Sequence, residues 1–294
     1  MKLISVGEII WDVFGEERTL GGAPLNFAAH AALQGADAYI LSAVGDDSLG
    51  QRSIKEVSLL GVGTEYISVV PDYPTGQCVV TLDKSGVPTY EITDDVAYDR
   101  IGAPTELCKD FDVVAFGTLA LRHGENRLML EQLLSSDSFS EVFTDLNIRA
   151  PFYSSESVDF CLSKATIVKI SDEELPIVNG LVFGEDFDTE ESVNRLSRKY
   201  RQIKLILVTK GEKGSLCYDT RSGRIYERAA GAARVVSTVG AGDSFGATFL
   251  TQYIKTGDIE NSMKLASAVS AFVVSHAGAI PGNIKEFLVE QSIV

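Results

Sequence analysis

Strand-like and helix-like patterns alternate along most of the chain. Residues 2–7 and 38–44 are short apolar runs typical of buried strands, and residues 48–60 have the spacing of an amphipathic helix. The alternation resumes near residue 111 and continues to a helix over about 259–276. This order of elements is typical of a parallel sheet covered by helices. With 294 residues and no repeat, low-complexity segment or linker, residues 1–294 are predicted to form one α/β domain.

The alternation is interrupted between residues 64 and 93. Three short strands with no helix between them are predicted there, at 66–70, 77–82 and 88–92. Asp83-Lys84-Ser85-Gly86 suits a hairpin turn. Together with residues about 12–20, this region is predicted to form a small antiparallel sheet that projects from the main domain. Such a sheet suits a lid that excludes water from a site, or a surface for a homodimer contact.

The composition excludes several classes of protein. A net charge of −15 disfavours binding to nucleic acid or to an anionic membrane surface. No apolar run approaches the eighteen or so residues of a membrane span. The four cysteines (Cys78, Cys108, Cys161 and Cys217) lack zinc-ligand or Cys-x-x-Cys spacing. We therefore expect a cytoplasmic protein with reduced thiols and small-molecule partners.

A glycine-rich stretch near the C-terminus has the pattern of an anion site. Gly240, Ala241 and Gly242 precede Asp243, and apolar residues then recur at helical spacing. The start of a helix offers unpaired N–H groups and a partial positive charge, and small residues let an anion approach them. Asp243 would add a base beside that anion, as phosphoryl transfer to a hydroxyl requires. Aspartate is also a favoured helix-start residue, so this stretch alone leaves both interpretations open.

Three residues near the N-terminus are candidates for binding a hydroxylated ligand. Asp12 follows an apolar run and is predicted to lie at the carboxyl end of the first strand, where α/β sheets bind ligands. Gly22 belongs to a glycine pair that precedes an alanine-rich helix. Asn26 lies in the first turn of that helix, with a donor and an acceptor to offer. A solvated loop aspartate remains the alternative for Asp12.

Polar residues cluster again after the strand predicted at 141–147. Asn147 and Arg149 are candidates for contacts to a sugar or to a transferred phosphate. The alternative for Arg149 is a salt bridge with Asp145.

Together these motifs resemble the ribokinase-like sugar kinases, also called the phosphofructokinase-B family. Gly21-Gly22-Ala23-Pro24-Leu25-Asn26 and Gly45-Asp46-Asp47-Ser48-Leu49-Gly50 form the early signature, and residues 238–245 form the late one. Residues 7–12 and 145–149 look most like those of fructokinases. The resemblance covers nearly the whole chain. It implies a three-layer α/β/α domain with a β-sheet lid, and transfer of the ATP γ-phosphoryl group to a sugar hydroxymethyl group.

The resemblance also implies roles for individual residues. Asp243 matches the family's general base, and the amides of Ala241, Gly242 and Asp243 match its anion hole. Gly240, which precedes them, belongs to the same catalytic motif. Asp12, Gly22 and Asn26 match sugar-contacting positions. The positions that match the nucleotide site are Ser171, Thr209, Gly211, Gly214 and Ser267. From the helix dipole alone, we expect the pKa of Asp243 to be lowered.

Two positions depart from the family pattern for cations. Ser171 stands where the divalent-cation motif Asn-x-x-Glu usually has Asn, while Glu174 fits its Glu and is predicted to act near Mg²⁺ through water. A helix-capping Ser with first-turn acids is the alternative. Many members bind K⁺ through an Asp where this chain has Ser237, which is a weaker ligand. The remaining candidates for a doubtful K⁺ site are the carbonyls of Val239, Val273, His276 and Gly278.

The expected acceptor is a neutral sugar, because residues 1–30 contain only Lys2 and Arg18 as cations and residues 75–95 only Lys84. Fructose, giving fructose 6-phosphate, is the first candidate. Ribose, another ketose, 2-keto-3-deoxygluconate and a nucleoside are the alternatives within the family. A non-catalytic sugar or nucleotide sensor is the alternative from another class.

Overall fold

The computed structural model describes residues 1–82, 88–104, 110–136 and 139–294. The strands in these ranges are β1 (Lys2–Val6), β2 (Ile10–Phe14), β3 (Glu17–Gly21), β4 (Asp37–Gly45), β5 (Ile67–Val70), β6 (Gly76–Leu82), β7 (Pro88–Ile92), β8 (Val113–Phe116), β9 (Glu141–Asp145), β10 (Ile167–Ser171), β11 (Leu205–Thr209), β12 (Ser215–Asp219) and β13 (Arg224–Arg228). The helices are α1 (Ala23–Leu33), α2 (Ser48–Leu59), α3 (Gly124–Ser136), α4 (Ser155–Lys164), α5 (Leu175–Phe183), α6 (Thr189–Lys199), α7 (Ala241–Thr256), α8 (Ile259–Val274) and α9 (Ile284–Glu290).

The larger sheet has the order β13-β12-β11-β10-β9-β8-β1-β4-β5. Its strands from β11 to β5 pair in parallel, whereas β12, near one edge, pairs antiparallel with both β11 and β13. The parallel strands are nearly continuous runs of apolar residues, as expected when helices cover both faces. Their carboxyl ends therefore meet at one edge of the sheet.

Two hydrophobic cores lie on opposite faces of this sheet. One contains Leu130, Val158 and Val193, so α3, α4 and α6 cover that face. The other contains Ala28 and Phe249, so α1 and α7 cover the opposite face. The predicted three-layer α/β/α architecture is confirmed.

The second sheet has the order β3-β2-β6-β7, and it confirms the predicted small sheet beside the main domain. Its outer pairs are antiparallel, while its central pair β2–β6 is parallel. One boundary was wrong: β5 pairs with β4 in the larger sheet, so residues 67–70 do not belong to the small one. The predicted hairpin turn at 83–86 lies outside the described residues.

The first strand also ends earlier than predicted. β1 stops at Val6, Gly7 adopts a φ of 146°, and the chain crosses into the small sheet at β2. Asp12 therefore lies inside β2, opposite Thr19 and Cys78, and not at the end of a main-sheet strand. The stretch from Leu3 to Trp11 serves two strands in two sheets, and Gly7 and Glu8 lie where the chain passes from one sheet to the other.

No helix in the described ranges combines the length and the apolar character that a membrane crossing needs. Cys78, Cys161 and Cys217 are buried free thiols, and Cys108 lies outside the described residues.

Candidate active site

The turn before α7 has a geometry that only glycine permits. Gly240 has a φ of 78°, and a Cβ at this position would lie 2.5 Å from the Cβ of Ala279. The amide of Ser244 donates to the Gly240 carbonyl at 2.8 Å, which begins the helical hydrogen bonding. The amide of Ala241 donates to Thr238 at 3.2 Å, so this member of the predicted anion hole already has a partner.

Asp243 lies in the first turn of α7, and Asn26 of α1 contacts it directly. The Asn26 side-chain amide donates to a carboxylate oxygen of Asp243 across 2.8 Å. Burial raises the pKa of Asp243 to about 6, although the Asn26 hydrogen bond and the positive charges of Lys169 and Arg149 lower it. Our expectation of a lowered pKa was wrong, because loss of solvent around the carboxyl outweighs the favourable field of the helix start.

Lys169, which we did not single out from the sequence, lies beneath the start of α7. It is 5% exposed, and its Nζ pairs with an Asp145 carboxylate oxygen at 2.7 Å. A Cβ on Gly242 would lie 3.1 Å from that Nζ, so the ammonium group sits against the glycine turn. The other Asp145 oxygen is buried and has no hydrogen-bond partner within the described ranges. The signal for this residue was a charged side chain inside the apolar strand β10.

A cleft opens beside Asp243 at the carboxyl ends of the parallel strands. Its lining includes Ser5, Glu8, Phe27, Phe143, Asn147 and Asp243. Asn147, a predicted sugar contact, has a φ of 41° in the loop after β9. This arrangement brings the N-terminal motif, the strand-end polar residues and the late glycine motif to one cavity.

Glu8 is a buried acid that also lines this cleft, and sequence reasoning missed it. Its Oε1 accepts a hydrogen bond from the amide of Ala23 at 3.2 Å, at the start of α1. A Cβ on Gly22, which has a φ of 116°, would overlap the Glu8 carbonyl oxygen. The pKa of Glu8 is raised to about 7, because burial and the charge of Asp243 outweigh the backbone hydrogen bonds that lower it. The signal was an acidic residue inside an apolar run.

Arg149 lies at the exposed mouth of the site and faces its carboxyl groups. Its charge lowers the pKa values of Asp12, Glu8 and Asp243, while burial raises the pKa of Asp12 overall. The proposed alternative, a salt bridge from Arg149 to Asp145, does not form, because Asp145 pairs with Lys169. Arg149 thus lies close enough to Glu8, Asp12 and Asp243 for its charge to act on all three.

Ser171 and Glu174 form a reciprocal pair at the start of α5. The Glu174 amide donates to Ser171 Oγ at 3.2 Å, and the Ser171 amide donates to Glu174 Oε2 at 2.7 Å. The second carboxylate oxygen accepts from the amide of Ile148 at 2.6 Å. The pair has the hydrogen bonds of a capping box, but Ser171 ends β10 and the N-cap of α5 is Glu174, which makes no side-chain capping bond, so Ser171 caps the turn before α5 and not the helix itself. Each oxygen keeps a further lone pair, so a role for Glu174 near a divalent cation stays a prediction.

The other predicted nucleotide positions lie at the end of β11, in the turn that follows it and on α8. Thr209 ends β11, and Gly211 opens the short 3-10 turn that Gly214 closes. Ser267 lies on α8, and a Cβ built on Gly231 would lie 3.4 Å from the Ser267 carbonyl oxygen. These residues border the segment from 229 to 240, which is largely exposed. Their roles in nucleotide binding stay predictions.

The candidate monovalent-cation residues lie where the segment before α7 meets the end of α8. The amides of Val236 and Ser237 donate to the Val274 carbonyl at 2.8 and 3.2 Å. The hydroxyl of Ser237 accepts from the amide of Val239 at 3.2 Å. Val273 accepts from the amide of His276, and Gly278 turns with a φ of 79°. His276 caps its own helix: its Nδ1 lies 2.8 Å from the Phe272 carbonyl.

Comparisons with known proteins agree on one family. The family model described as pfkB family carbohydrate kinase matches residues 3–286. The chain is 29% identical over 280 residues to probable fructokinase-5 of Arabidopsis thaliana, covering 89% of this chain and 84% of the relative. It is 26% identical over 299 residues to the ATP-dependent 6-phosphofructokinase of Thermoanaerobacterium thermosaccharolyticum, covering 95% and 89%.

A solved structure shares the fold. Fructokinase from Vibrio cholerae O395, in its fructose, ADP and calcium ion bound form, superposes with a TM-score of 0.80 at 22% identity. The match covers 95% of this chain and 94% of that chain.

Proposed function

The chain belongs to the pfkB family of carbohydrate kinases, and we propose that it is a fructokinase that makes fructose 6-phosphate with Asp243 as the general base. Phosphorylation of a sugar with ATP follows from the family, and an enzyme is therefore favoured over the sensor considered from the sequence. The observation that carries the finer proposal is the position of Asp243. It lies at the glycine-lined start of α7, is held by Asn26, and lines the cleft that Glu8 and Asn147 also line.

The proposed reaction uses this geometry in one concerted transfer. Asp243 accepts the proton of the acceptor hydroxyl while the hydroxyl oxygen bonds to the γ-phosphorus of ATP. The bond from that phosphorus to the oxygen that bridges it to the β-phosphorus breaks, and ADP is released. The amides of Gly242 and Asp243 start α7 and favour the negative charge of the transferred group. Lys169 places a cation under the same turn. A pKa near 6 keeps Asp243 ionised at neutral pH yet more basic than an exposed aspartate.

A neutral acceptor is favoured by the charges around the cleft. Glu8, Asp12 and Asp243 supply three carboxyl groups, and Arg149 is the cation that acts on all three. A phosphorylated sugar would have to bring a dianion toward these acids, which is unfavourable without further cations. The similarity to a 6-phosphofructokinase makes fructose 6-phosphate the acceptor that most needs to be tested.

Coupled ADP release across a panel of acceptors tests this proposal. We expect kcat/KM for fructose to exceed that for ribose, 2-keto-3-deoxygluconate and adenosine by at least about tenfold, a difference of about 1.4 kcal/mol in transition-state binding. Fructose 6-phosphate should give no more than background turnover. A preference for fructose 6-phosphate, or no turnover of any neutral sugar by folded protein, would overturn the assignment.

The pH dependence should report the two acids of the cleft that have raised pKa values, Asp243 and Glu8. Asp243 must be ionised to act, so kcat/KM is expected to fall tenfold per pH unit below an apparent pKa of about 6. Glu8 and Asp243 repel each other when both are charged, so the profile belongs to the pair. Glu8 has the higher pKa, about 7, and is mostly protonated where Asp243 titrates, so Glu8→Gln should leave the acid limb in place. A limb that moves to lower pH would show that Glu8 is charged there and that the order of the two pKa values is reversed.

The cations are proposed to act at the nucleotide side. Mg²⁺ would arrive with ATP, and Glu174 would hold it through water. The Asp145 oxygen that has no partner among the described residues would be a further hard donor. When bound, it would offset the charge of the phosphates. We propose no requirement for K⁺, because Ser237 is neutral and its hydroxyl already accepts from Val239. More than tenfold activation by K⁺ over a bulky organic cation would contradict this.

The small sheet is proposed to act as a lid. Asp12 lies on strand β2 of this sheet, and the charge of Arg149 acts on its carboxyl group. Movement of the sheet would therefore move a predicted sugar contact. Phe14, at the end of the same strand, is exposed and marks a surface for the predicted homodimer contact. A sedimentation coefficient that corresponds to a monomer at the concentration used in the assays would contradict the predicted homodimer.

A further inference from the structure

The interface between α1 and α7 carries a buried row of polar side chains. Asn26, His30 and Gln34 follow one another at intervals of four residues, so they share one face of α1 and its C-terminal cap. All three are between 0 and 5% exposed. Helices that pack across a core normally bury apolar residues, so such a row needs an explanation.

Each member of the row has a partner beyond its own helix. Asn26 donates to Asp243 at 2.8 Å, in the site itself. His30 Nε2 lies 2.9 Å from the carbonyl of Ala279, the residue against which the Gly240 turn packs. Burial lowers the pKa of His30 to about 4, so the ring is neutral at working pH and donates this hydrogen bond.

The lower end of the row connects α1 directly to α7. The Gln34 side-chain amide donates to Thr248 Oγ1 at 2.9 Å and also to the His30 carbonyl at 3.1 Å. The amide of Gln252 donates to the Gln34 side-chain oxygen at 3.3 Å. Thr248 and Gln252 are one turn apart on α7 and are buried. These bonds form in only one axial register of the two helices.

We propose that Gln34, Thr248 and Gln252 are positioning residues that fix the register of α1 against α7 and thereby hold Asn26 on Asp243. An apolar interface of the same size would let the helices shift along each other, because contacts between hydrocarbon groups are not directional. Buried hydrogen bonds penalise every shifted register, since a shifted donor is left without a partner. The two helices carry the two halves of the site at their N-termini, so an axial shift would pull Asn26 from the carboxylate.

The test is the triple variant Gln34→Leu/Thr248→Val/Gln252→Leu. It removes the hydrogen bonds among these three side chains and puts apolar groups of similar size in their place. Removing these side-chain partners together leaves no unpaired donor in the cluster, and only the His30 carbonyl loses the Gln34 amide, so the midpoint of urea unfolding should fall by less than it does for Gln34→Leu alone. With fructose and ATP, kcat should fall by about tenfold and KM for fructose should change little. The acid limb of kcat/KM should rise by about half a pH unit, because Asp243 loses the Asn26 hydrogen bond that lowers its pKa.

The shift in the acid limb is specific to this role. The other groups that act on Asp243 or are acted on by it are Asp145 at the end of β9, Lys169 on β10, Arg149 and Glu8, and none of them is changed in the variant. Thr248→Val alone should move kcat and the acid limb in the same direction by a smaller amount, which keeps the test valid if the triple variant unfolds. Thr251→Val is the matched control, because Thr251 is buried on the same helix and its hydroxyl has no partner among the described residues.

An unchanged acid limb and unchanged kcat in the folded triple variant, or in Thr248→Val if the triple variant unfolds, would overturn the proposal. So would an equal effect of Thr251→Val. The inference rests on the proposed role of Asp243, which Asp243→Asn tests separately. If Asp243→Asn remains active, the base is misassigned, whereas an inactive Asp243→Asn with an unaffected triple variant contradicts only the positioning role.

Discussion

Asp243→Asn is expected to lose at least about a thousandfold in kcat and to unfold at a higher temperature than the parent at pH 7. The loss of activity follows because Asn cannot accept the hydroxyl proton, and general-base catalysis contributes roughly 10²–10⁴ in rate. Asn keeps the shape of the side chain and an oxygen that can accept from Asn26. Activity and stability should therefore move in opposite directions.

The gain in stability follows from the sign of the pKa shift. The pKa of Asp243 rises from 3.8 in the unfolded chain to about 6 in the folded one. A carboxyl with a raised folded pKa favours folding below pH 3.8, and that contribution is lost as the pH rises through 6. At pH 7 the ionised group costs up to about 3 kcal/mol, which Asn removes. Melting temperatures across pH 4–8 measure this, and the difference between variant and parent should shrink toward pH 4.

Asp72→Asn is the matched control for charge alone, since Asp72 is exposed outside the cleft. It should leave kcat and the melting temperature unchanged. Turnover of Asp243→Asn within a few-fold of the parent would rule out Asp243 as the base.

Lys169→Met is expected to destabilise the fold by about 3–5 kcal/mol and to reduce kcat by at least about a hundredfold. Removal of the ammonium group leaves the Asp145 carboxylate buried without its partner, which is the costly way to break a buried pair. It also removes a positive charge that lowers the pKa of Asp243. Urea unfolding and steady-state kinetics give the two quantities.

The double variant Lys169→Met/Asp145→Asn separates the two roles of this lysine. It no longer buries an unpaired charge, so most of the lost stability should return while kcat stays low. Full recovery of kcat would mean that Lys169 is only structural. Lys204→Met is a control for a less buried pair: Lys204 bonds Glu141 at 2.7 Å but is 29% exposed, and its loss should cost less than about 1 kcal/mol.

The sequence was most informative where a residue type is required by backbone geometry. Gly240 and Gly22 were predicted from short motifs, and both occupy positions that a Cβ would disrupt. The alternation of strands and helices was enough to predict the layers, because burial on both faces leaves a plain apolar pattern. It was not enough to place β5, since a short strand carries no mark of the sheet it joins.

The charges of the site were the least predictable part. Lys169 and Glu8 each interrupt an apolar run, and only the fold shows that both face the start of α7 or the cleft beside it. The direction of the Asp243 pKa was misjudged because the sequence shows a helix start but not the solvent that is lost around it. Asn26 was predicted to contact a hydroxyl, and the structure adds its bond to the base.

A crystal structure of the chain with fructose and a non-hydrolysable ATP analogue would measure the distance between Asp243 and the acceptor oxygen. The account predicts that the fructose primary hydroxyl lies about 2.6–3.2 Å from an Asp243 carboxylate oxygen, with the γ-phosphate against the amides that start α7. An acceptor oxygen held by another carboxylate, with Asp243 beyond reach of it even through one water, would contradict the account.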